Sequence, residues 1–341
     1  LKYLQKIVDG HDLTLEESES LMGEVFNGAS DAEIGAMLIA LRMKGETPGE
    51  LAGFARSMRA ASVRISPAVR GTIVDTCGTG GDGSNTINIS TAAAIVAASA
   101  GVFVAKHGNY AVSSKCGSAN VLSELGVKVS ATPEDITSCI EAIKIGFMLA
   151  PLFHPAMKRV AQVRSSLGLR TVFNILGPLT NPAGAKAQLM GVYSPNLCLK
   201  MASVLRLLGS DRAMIVHGEG MDEITNTGNT NVVELKDGVI TSYILTPEAL
   251  GYEKASKEEI AGGSPKQNAM ELVSIFKGRR CPGRDVIAMN AGAVIYLAGL
   301  AKSIEEGCMI AEESISSGRS MDTLKAMVNH GGNPAMLERF L

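Results

Sequence analysis

Over the first sixty residues, apolar positions recur at helical spacing; from about residue 71 they change to short apolar runs between glycine-rich turns. The first pattern predicts helices. Thr14 and Glu17 have the spacing of a capping box, and Gly28 stops the helix they open. Asp31 is the expected cap of the next helix, which carries Ile34, Met37, Leu38 and Leu41 on one face and ends at Gly45. Thr47, Pro48 and Glu50 supply a cap, an N1 proline and an N3 acid for a third helix reaching about Ala61. Helices this short need tertiary packing. Residues 1–65 therefore read as a small helical domain, with its linker at 62–71 around Ser66-Pro67.

The second pattern predicts alternating strands and helices. Strands are expected near 72–74, 102–105, 127–129, 147–150, 188–193 and 213–216, with helices between them near 92–100, 120–125, 133–145 and 195–208. Residues 232–236 and 239–243 form a hairpin candidate around Asp237-Gly238, and the chain is mostly helical from Glu253 on. The fold expected is α/β: a small N-terminal helical domain plus a large α/β domain, residues 66–341, with a central, mostly parallel sheet. The less regular segment 155–185, mostly helical to Gly168, is a candidate addition to the helical domain.

The densest chemistry follows the first strand. Gly78, Gly80, Gly81 and Gly83 fall within six positions, and Ser90-Thr91 is the expected cap pair of an Ala-rich helix. Strand, glycine loop and helix N-terminus together make a phosphate site, because backbone N–H groups and the helix dipole both favour an anion. The string also satisfies G-x-G-x-x-G, but no Asp or Glu occurs between Asp82 and Glu124 to hold a ribose, which disfavours a dinucleotide. No Gly-Lys-Ser/Thr closes a Walker A loop. Where the ribose acid would stand, the next strand runs into Lys106-His107-Gly108-Asn109. A Lys beside a glycine loop suits phosphate as a point charge.

Asp222-Glu223 follows a strand end and glycines. Alone, such a pair reads first as a solvated acidic turn; beside a phosphate loop and Lys106 it reads as a Mg²⁺ anchor, since Mg²⁺ takes one or two carboxylates plus substrate phosphates. Ser90, Ser113, Ser114 and Ser118 suit turns and caps as well as ligands, and His107 and His154 suit buried structural imidazoles as well as ligand contacts. Arg164, by itself, is a solvated helix arginine. No Ser-His-Asp or Cys-His set is suggested, so no covalent nucleophile and no acid–base residue is expected.

Composition narrows the class. The chain has 341 residues, 46% apolar but only 4% aromatic, with no Trp and a net charge of −2. That charge argues against bulk electrostatic binding of nucleic acid. Six scattered cysteines without a C-x-x-C suggest a reducing compartment. The most apolar run, 92–105, is too short and too broken to span a bilayer, so a soluble, cytoplasmic protein is expected.

Nearly end to end, the chain resembles the anthranilate phosphoribosyltransferase family of tryptophan biosynthesis. The resemblance is carried by Gly78-Thr79-Gly80-Gly81-Asp82, Asn88-Ile89-Ser90-Thr91, Lys106-His107-Gly108-Asn109, Ser113-Ser114-Lys115, Gly117-Ser118-Ala119, the stretch 174–182 from Asn174 through Gly177-Pro178 to Asn181-Pro182, and Met221-Asp222-Glu223. It implies transfer of phosphoribose from 5-phosphoribosyl 1-diphosphate (PRPP) to the amine of anthranilate, two Mg²⁺ ions, a homodimer, and no nucleic-acid or membrane partner. By motif, Gly78, Thr79, Gly81, Asp82, Asn88, Ser90, Thr91, Lys106 and Ser118 would bind PRPP. Ser90, Asp222 and Glu223 would serve the metal. Gly78, Asn109 and Arg164 would hold anthranilate, with His107, Ala150, Pro151, His154 and Pro178 along its path. The chain departs from the family at Tyr110, usually Arg, and at Asn120, usually Asp. Two rivals share the fold: a pyrimidine nucleoside phosphorylase-like enzyme, separated by thymidine phosphorolysis, and a non-enzymatic nucleic-acid binder, which should show a basic surface and a degraded metal pair.

Overall fold

The computed structural model describes residues 1–111 and 115–341; Ser113 and Ser114 lie outside the described residues. Among the described residues, seven strands form one sheet: β1 Ile73–Asp75, β2 Phe103–Gly108, β3 Ile145–Leu149, β4 Ala187–Gly191, β5 Arg212–Gly218, β6 Thr230–Lys236 and β7 Val239–Leu245. Their order is β3-β2-β1-β4-β5-β6-β7. The pairings from β3 through β5 are parallel, and β5–β6 and β6–β7 are antiparallel. The hairpin turns through Asp237 and Gly238, both at positive φ (51° and 77°) as a tight two-residue turn needs.

Successive side chains of a strand leave opposite faces, and here both faces are covered. Met214 and Val216 of β5 enter one core with the helices Ile89–Ser99 and Pro282–Leu297. Ala213 and Ile215 enter another, shared with the helix Leu197–Leu207 and the N-terminal helices. Those N-terminal helices are Leu4–Val8, Leu15–Phe26, Asp31–Lys44 and Pro48–Ala60. The 155–185 segment supplies Val160, Val163, Phe173 and Leu176 to the same apolar cluster.

Four local expectations change. The second capping box is made by Ser30 with Glu33, so Asp31 is the first helical residue rather than the cap. The glycine-loop helix starts at Ile89, with Asn88 in the cap position, which moves Ser90 and Thr91 into the first turn. Residues 127–129 are not a strand: Val127 N donates to Leu122 O, closing the preceding helix, and Val127 and Val129 are buried by that turn instead of by sheet pairing. Finally, β2 runs through Lys106, His107 and Gly108, because β3 begins at Ile145 and pairs with it to the end.

Candidate active site

The glycine loop leaves β1 at the carboxyl ends of the parallel strands, where open α/β sheets place ligands. Gly80, Gly81 and Gly83 have φ of 63°, 74° and 77°, a region side chains disfavour. Gly78 is needed for space instead: a Cβ there would lie 2.9 Å from Gly191 O and 3.0 Å from Asp222 Oδ2. The loop is tied down by Thr79 N donating to Gly191 O (2.8 Å) and by Tyr193 N donating to Thr79 Oγ1 (3.1 Å). Among the described residues, the N–H groups of Gly81, Asp82 and Gly83 have no protein acceptor. They form a cradle of open donors beside the N-terminus of the helix Ile89–Ser99, a site for an anion.

Carboxylates stand at the rim. Gly80 N donates to Asp222 Oδ2 (2.7 Å), Asp222 N to Asp82 Oδ2 (3.2 Å), and Ser90 N to Glu223 Oε1 (3.2 Å). Ser84 N (3.1 Å) and Ser84 Oγ (2.6 Å) donate to Asp82. Desolvation, and after it the neighbouring Asp82, raise the Asp222 carboxyl to about 7. Desolvation, then the charge of Asp222, pushes Glu223 upward as well. Lys106 Nζ donates to Thr76 Oγ1 (2.9 Å) and reaches Ser90 Oγ at 3.4 Å.

Hard oxygen donors crowded until they resist ionisation fit a divalent cation, which would relieve both the burial and the repulsion. Among the described residues, the grouping of three His, Cys or carboxylate side chains whose ligand atoms all lie within 4.8 Å is Asp75, Cys77 and His107. Both oxygens of Asp75 are already used there, by His107 N (3.1 Å) and Asn181 Nδ2 (2.7 Å), which makes that group a strut between strands. Asp222 and Glu223 do not close a cage by themselves. Mg²⁺ suits this, because it takes few protein carboxylates and completes its shell from substrate and water.

Across the cavity the side chains are less committed. Arg164, on the helix Lys158–Leu167, is half-buried, 5.4 Å from the Phe173 ring centroid. Its guanidinium has no hydrogen-bond or ion-pair partner among the described residues, and desolvation lowers its pKa. His107 and His154 lie 5.1 Å apart by ring centroids, tilted at 56°, both buried. Both ring nitrogens of His107 and Nε2 of His154 lack partners among the described residues. Desolvation holds the two rings neutral, at about 3 and about 4. Neutral rings of this kind line a slot for a flat apolar molecule better than a charged one.

Every site residue named from the sequence and described here lines one cavity of about 620 Å³. On the phosphate side, Asn88 is a joint: its Nδ2 donates to Cys116 O (3.1 Å) and its Oδ1 accepts from Asn268 Nδ2 (2.8 Å). Thr91 is buried in the first helical turn. Ser118 Oγ donates to Asn109 O (3.1 Å), fixing the Asn109 turn. Ala150, Pro151 and Pro178 form the wall near the two histidines.

The departure at Asn120 keeps its acceptor: Oδ1 takes Ala111 N (2.9 Å) and Gly117 N (3.0 Å), bonds that a carboxylate oxygen would also take. Tyr110 is 44% exposed at the rim. Arg170 and Tyr193 were not expected from the sequence. Arg170 donates to Gly81 O and stacks 4.3 Å over the Tyr193 ring. Neither stands in a recognisable motif, so only their proximity to the glycine loop reveals them.

The glycosyl transferase family matches twice: its helical bundle domain over residues 1–62 and its a/b domain over residues 70–321. An anthranilate phosphoribosyltransferase of Methanosarcina barkeri is 57% identical over 320 residues, covering 94% of this chain and 87% of that protein. The crystal structure of the Thermus thermophilus anthranilate phosphoribosyltransferase has a TM-score of 0.92 at 44% identity, covering 97% of this chain and 99% of that one. The Saccharomyces cerevisiae enzyme, solved with PRPP and Mg, has a TM-score of 0.87 at 29% identity, with 96% of each chain covered. It has also been solved with 4-fluoroanthranilate.

Proposed function

The chain belongs to the anthranilate phosphoribosyltransferase family, and we infer from that premise and from the cavity that it transfers the 5-phosphoribosyl group of PRPP to the amine of anthranilate, releasing diphosphate. The observation that carries the reading is that one cavity has an anion cradle and carboxylates on one wall and, on the other, neutral imidazoles and a guanidinium with no partner among the described residues. The 174–182 stretch and the Asp222-Glu223 pair at the glycine loop favour this reading over a phosphorylase, and that pair with a net charge of −2 favours it over a nucleic-acid binder.

The open N–H groups of Gly81, Asp82 and Gly83 and the helix start at Ser90 and Thr91 hold the diphosphate of PRPP, with Lys106 as a fixed charge. Ser90, Asp222 and Glu223 would hold Mg²⁺; we take the number of ions as two. Bound Mg²⁺ would neutralise the charge that grows on the leaving diphosphate. Arg164 grips the anthranilate carboxylate, and the walls at Asn109, His107, His154, Ala150, Pro151 and Pro178 aim its ring. An aromatic amine is neutral near pH 7, so it attacks the ribosyl carbon without a protein base. Its proton passes to solvent or to diphosphate. Catalysis is positioning plus electrostatics. This agrees with the buried, neutral state of the two histidines.

We further take the working unit as a cytoplasmic homodimer, and the helical domain as residues 1–65 with 155–185 as its addition. In support, the 155–185 segment shares an apolar cluster with the first four helices. Mixing the protein with anthranilate, PRPP and Mg²⁺ should make anthranilate fluorescence fall only when all are present. No fall in fluorescence, or phosphorolysis of thymidine measured directly, rejects the assignment.

A further inference from the structure

Between the two walls runs a connection that neither substrate assignment uses. Arg170 follows Gly168, the left-handed stop (φ 61°) of the helix that carries Arg164. Its guanidinium donates to the carbonyl of Gly81, in the middle of the anion cradle, with its carbon 4.3 Å from the Tyr193 ring centroid. Tyr193 holds the other side of the loop through Thr79 Oγ1 (3.1 Å). The backbone carbonyl of Arg170 accepts in turn from Arg42 Nη1, on the N-terminal helix Asp31–Lys44. One residue thus touches the glycine loop with its side chain and the helical region with its backbone, six positions after Arg164.

We propose that Arg170 is a positioning residue that couples the two substrate subsites, so that filling the phosphate cradle tightens the acceptor wall and the reverse. The inference rests on the donor and acceptor reading above. A guanidinium carries five donors in a rigid fork, and a contact with an aromatic ring consumes none of them. With no anion present, the Gly81 carbonyl is its acceptor. Phosphate oxygens are the stronger acceptor, since charge-assisted bonds are about twice as strong as neutral ones. An anion in the cradle therefore draws the Arg170 fork toward itself. The segment that moves with the fork carries Arg164 and Phe173, and Arg42 passes the tension to the helical region. Coupling through such a segment is reciprocal by thermodynamic necessity.

Diphosphate with Mg²⁺ serves as a donor-site probe that cannot react, and anthranilate as the acceptor; calorimetry and anthranilate fluorescence give each affinity with and without the other. In the unaltered protein, each probe should tighten the other by the same factor, at least about fivefold. Arg170→Gln should weaken diphosphate about tenfold, bring the coupling factor to about one, and leave anthranilate alone within about twofold. These changes are the scale of one lost charge-assisted bond. Arg170→Lys, keeping charge but losing fork and stack, should fall between. Arg42→Gln should leave diphosphate alone within about twofold yet lower the coupling factor. The proposal is overturned if the unaltered protein shows no coupling, if Arg170→Gln keeps the factor, or if that variant weakens anthranilate alone as much as diphosphate, which marks general damage. Failure of the unaltered protein to bind diphosphate overturns the donor reading as well. Normal diphosphate binding with coupling unaffected by both variants overturns this inference alone.

Discussion

The two walls of the cavity are built by opposite means. On the phosphate wall, backbone does the work, and most groups are already bonded: Thr79, Gly80, Ser84 and Ser90 spend their N–H groups on protein acceptors, leaving a short row of open donors. On the acceptor wall, side chains do the work: among the described residues, Arg164 has no ionic partner and three imidazole nitrogens have no hydrogen-bond partner. A phosphate group is the same in every nucleotide-like substrate, so fixed backbone suits it. A flat aromatic acid is recognised by shape and one charge, which side chains supply. The contrast implies that damage to the first wall removes reaction, and damage to the second removes one substrate.

The strongest way to break that contrast is Asp222→Ala with Glu223→Ala. Turnover should fall at least about 10²-fold, the scale of losing one preorganised electrostatic stabiliser, with a raised Mg²⁺ requirement. A steady-state titration of Mg²⁺ checks it, and an unchanged Mg²⁺ curve would remove the pair from metal binding. Next comes Arg164→Ala. Losing a charge-assisted hydrogen bond costs about 1.5–3 kcal/mol, or roughly 10- to 150-fold in affinity, so KM for anthranilate should rise on that order while KM for PRPP stays level. A parallel rise in both constants would make Arg164 structural and erase the distinction between the walls.

Gly80→Val sharpens the comparison from the phosphate side. Nothing lies within 4 Å of its would-be Cβ, so the penalty is conformational: φ is 63°, where a β-branched residue is strained. That strain is worth about 1–3 kcal/mol and should appear in KM for PRPP, roughly 5-fold or more, with anthranilate affinity unaffected when measured without PRPP. Equal KM for PRPP in a folded variant would show that the cradle tolerates relaxation.

The smallest effect is on stability. Asp222 is raised to about 7 in the folded chain, whereas an unfolded Asp titrates near 4. Between these values the folded state holds more protons than the unfolded state, so stability falls as pH rises through that window. Without Mg²⁺, Asp222 by itself should lower the thermal midpoint by a few degrees from pH 5 to pH 8, read as the difference between the unaltered protein and Asp222→Asn. The two histidines, lowered in the fold, raise the midpoint between pH 5 and their unfolded value in both proteins and cancel in that difference. An identical pH profile in Asp222→Asn would mean the carboxylate is not held unfavourably.

The helical domain, the strand–helix alternation, the hairpin at Asp237-Gly238 and the glycine loop were legible from spacing and turn chemistry, because those signals are local. The same local reading misplaced the cap at Asp31 and the strand at 127–129. Two neighbouring residues can both cap, and a short apolar run packs equally well as a buried turn. Composition and periodicity left Arg164 an ordinary helix arginine; only the motif order raised it.

The amino-acid sequence by itself determined which residue types were present for the chemistry and which stretches would be helix, strand or tight turn, since capping, periodicity and glycine freedom act within a few residues. Tertiary structure decided everything that depends on distance across the chain. It set Asp222 against Gly80, 142 residues away, and Glu223 against Ser90, 133 away. It buried His107 beside His154 so that both stay neutral. It brought Arg170 to Gly81, 89 positions earlier. Hydrogen bonds and desolvation act through space, and no window of sequence contains them.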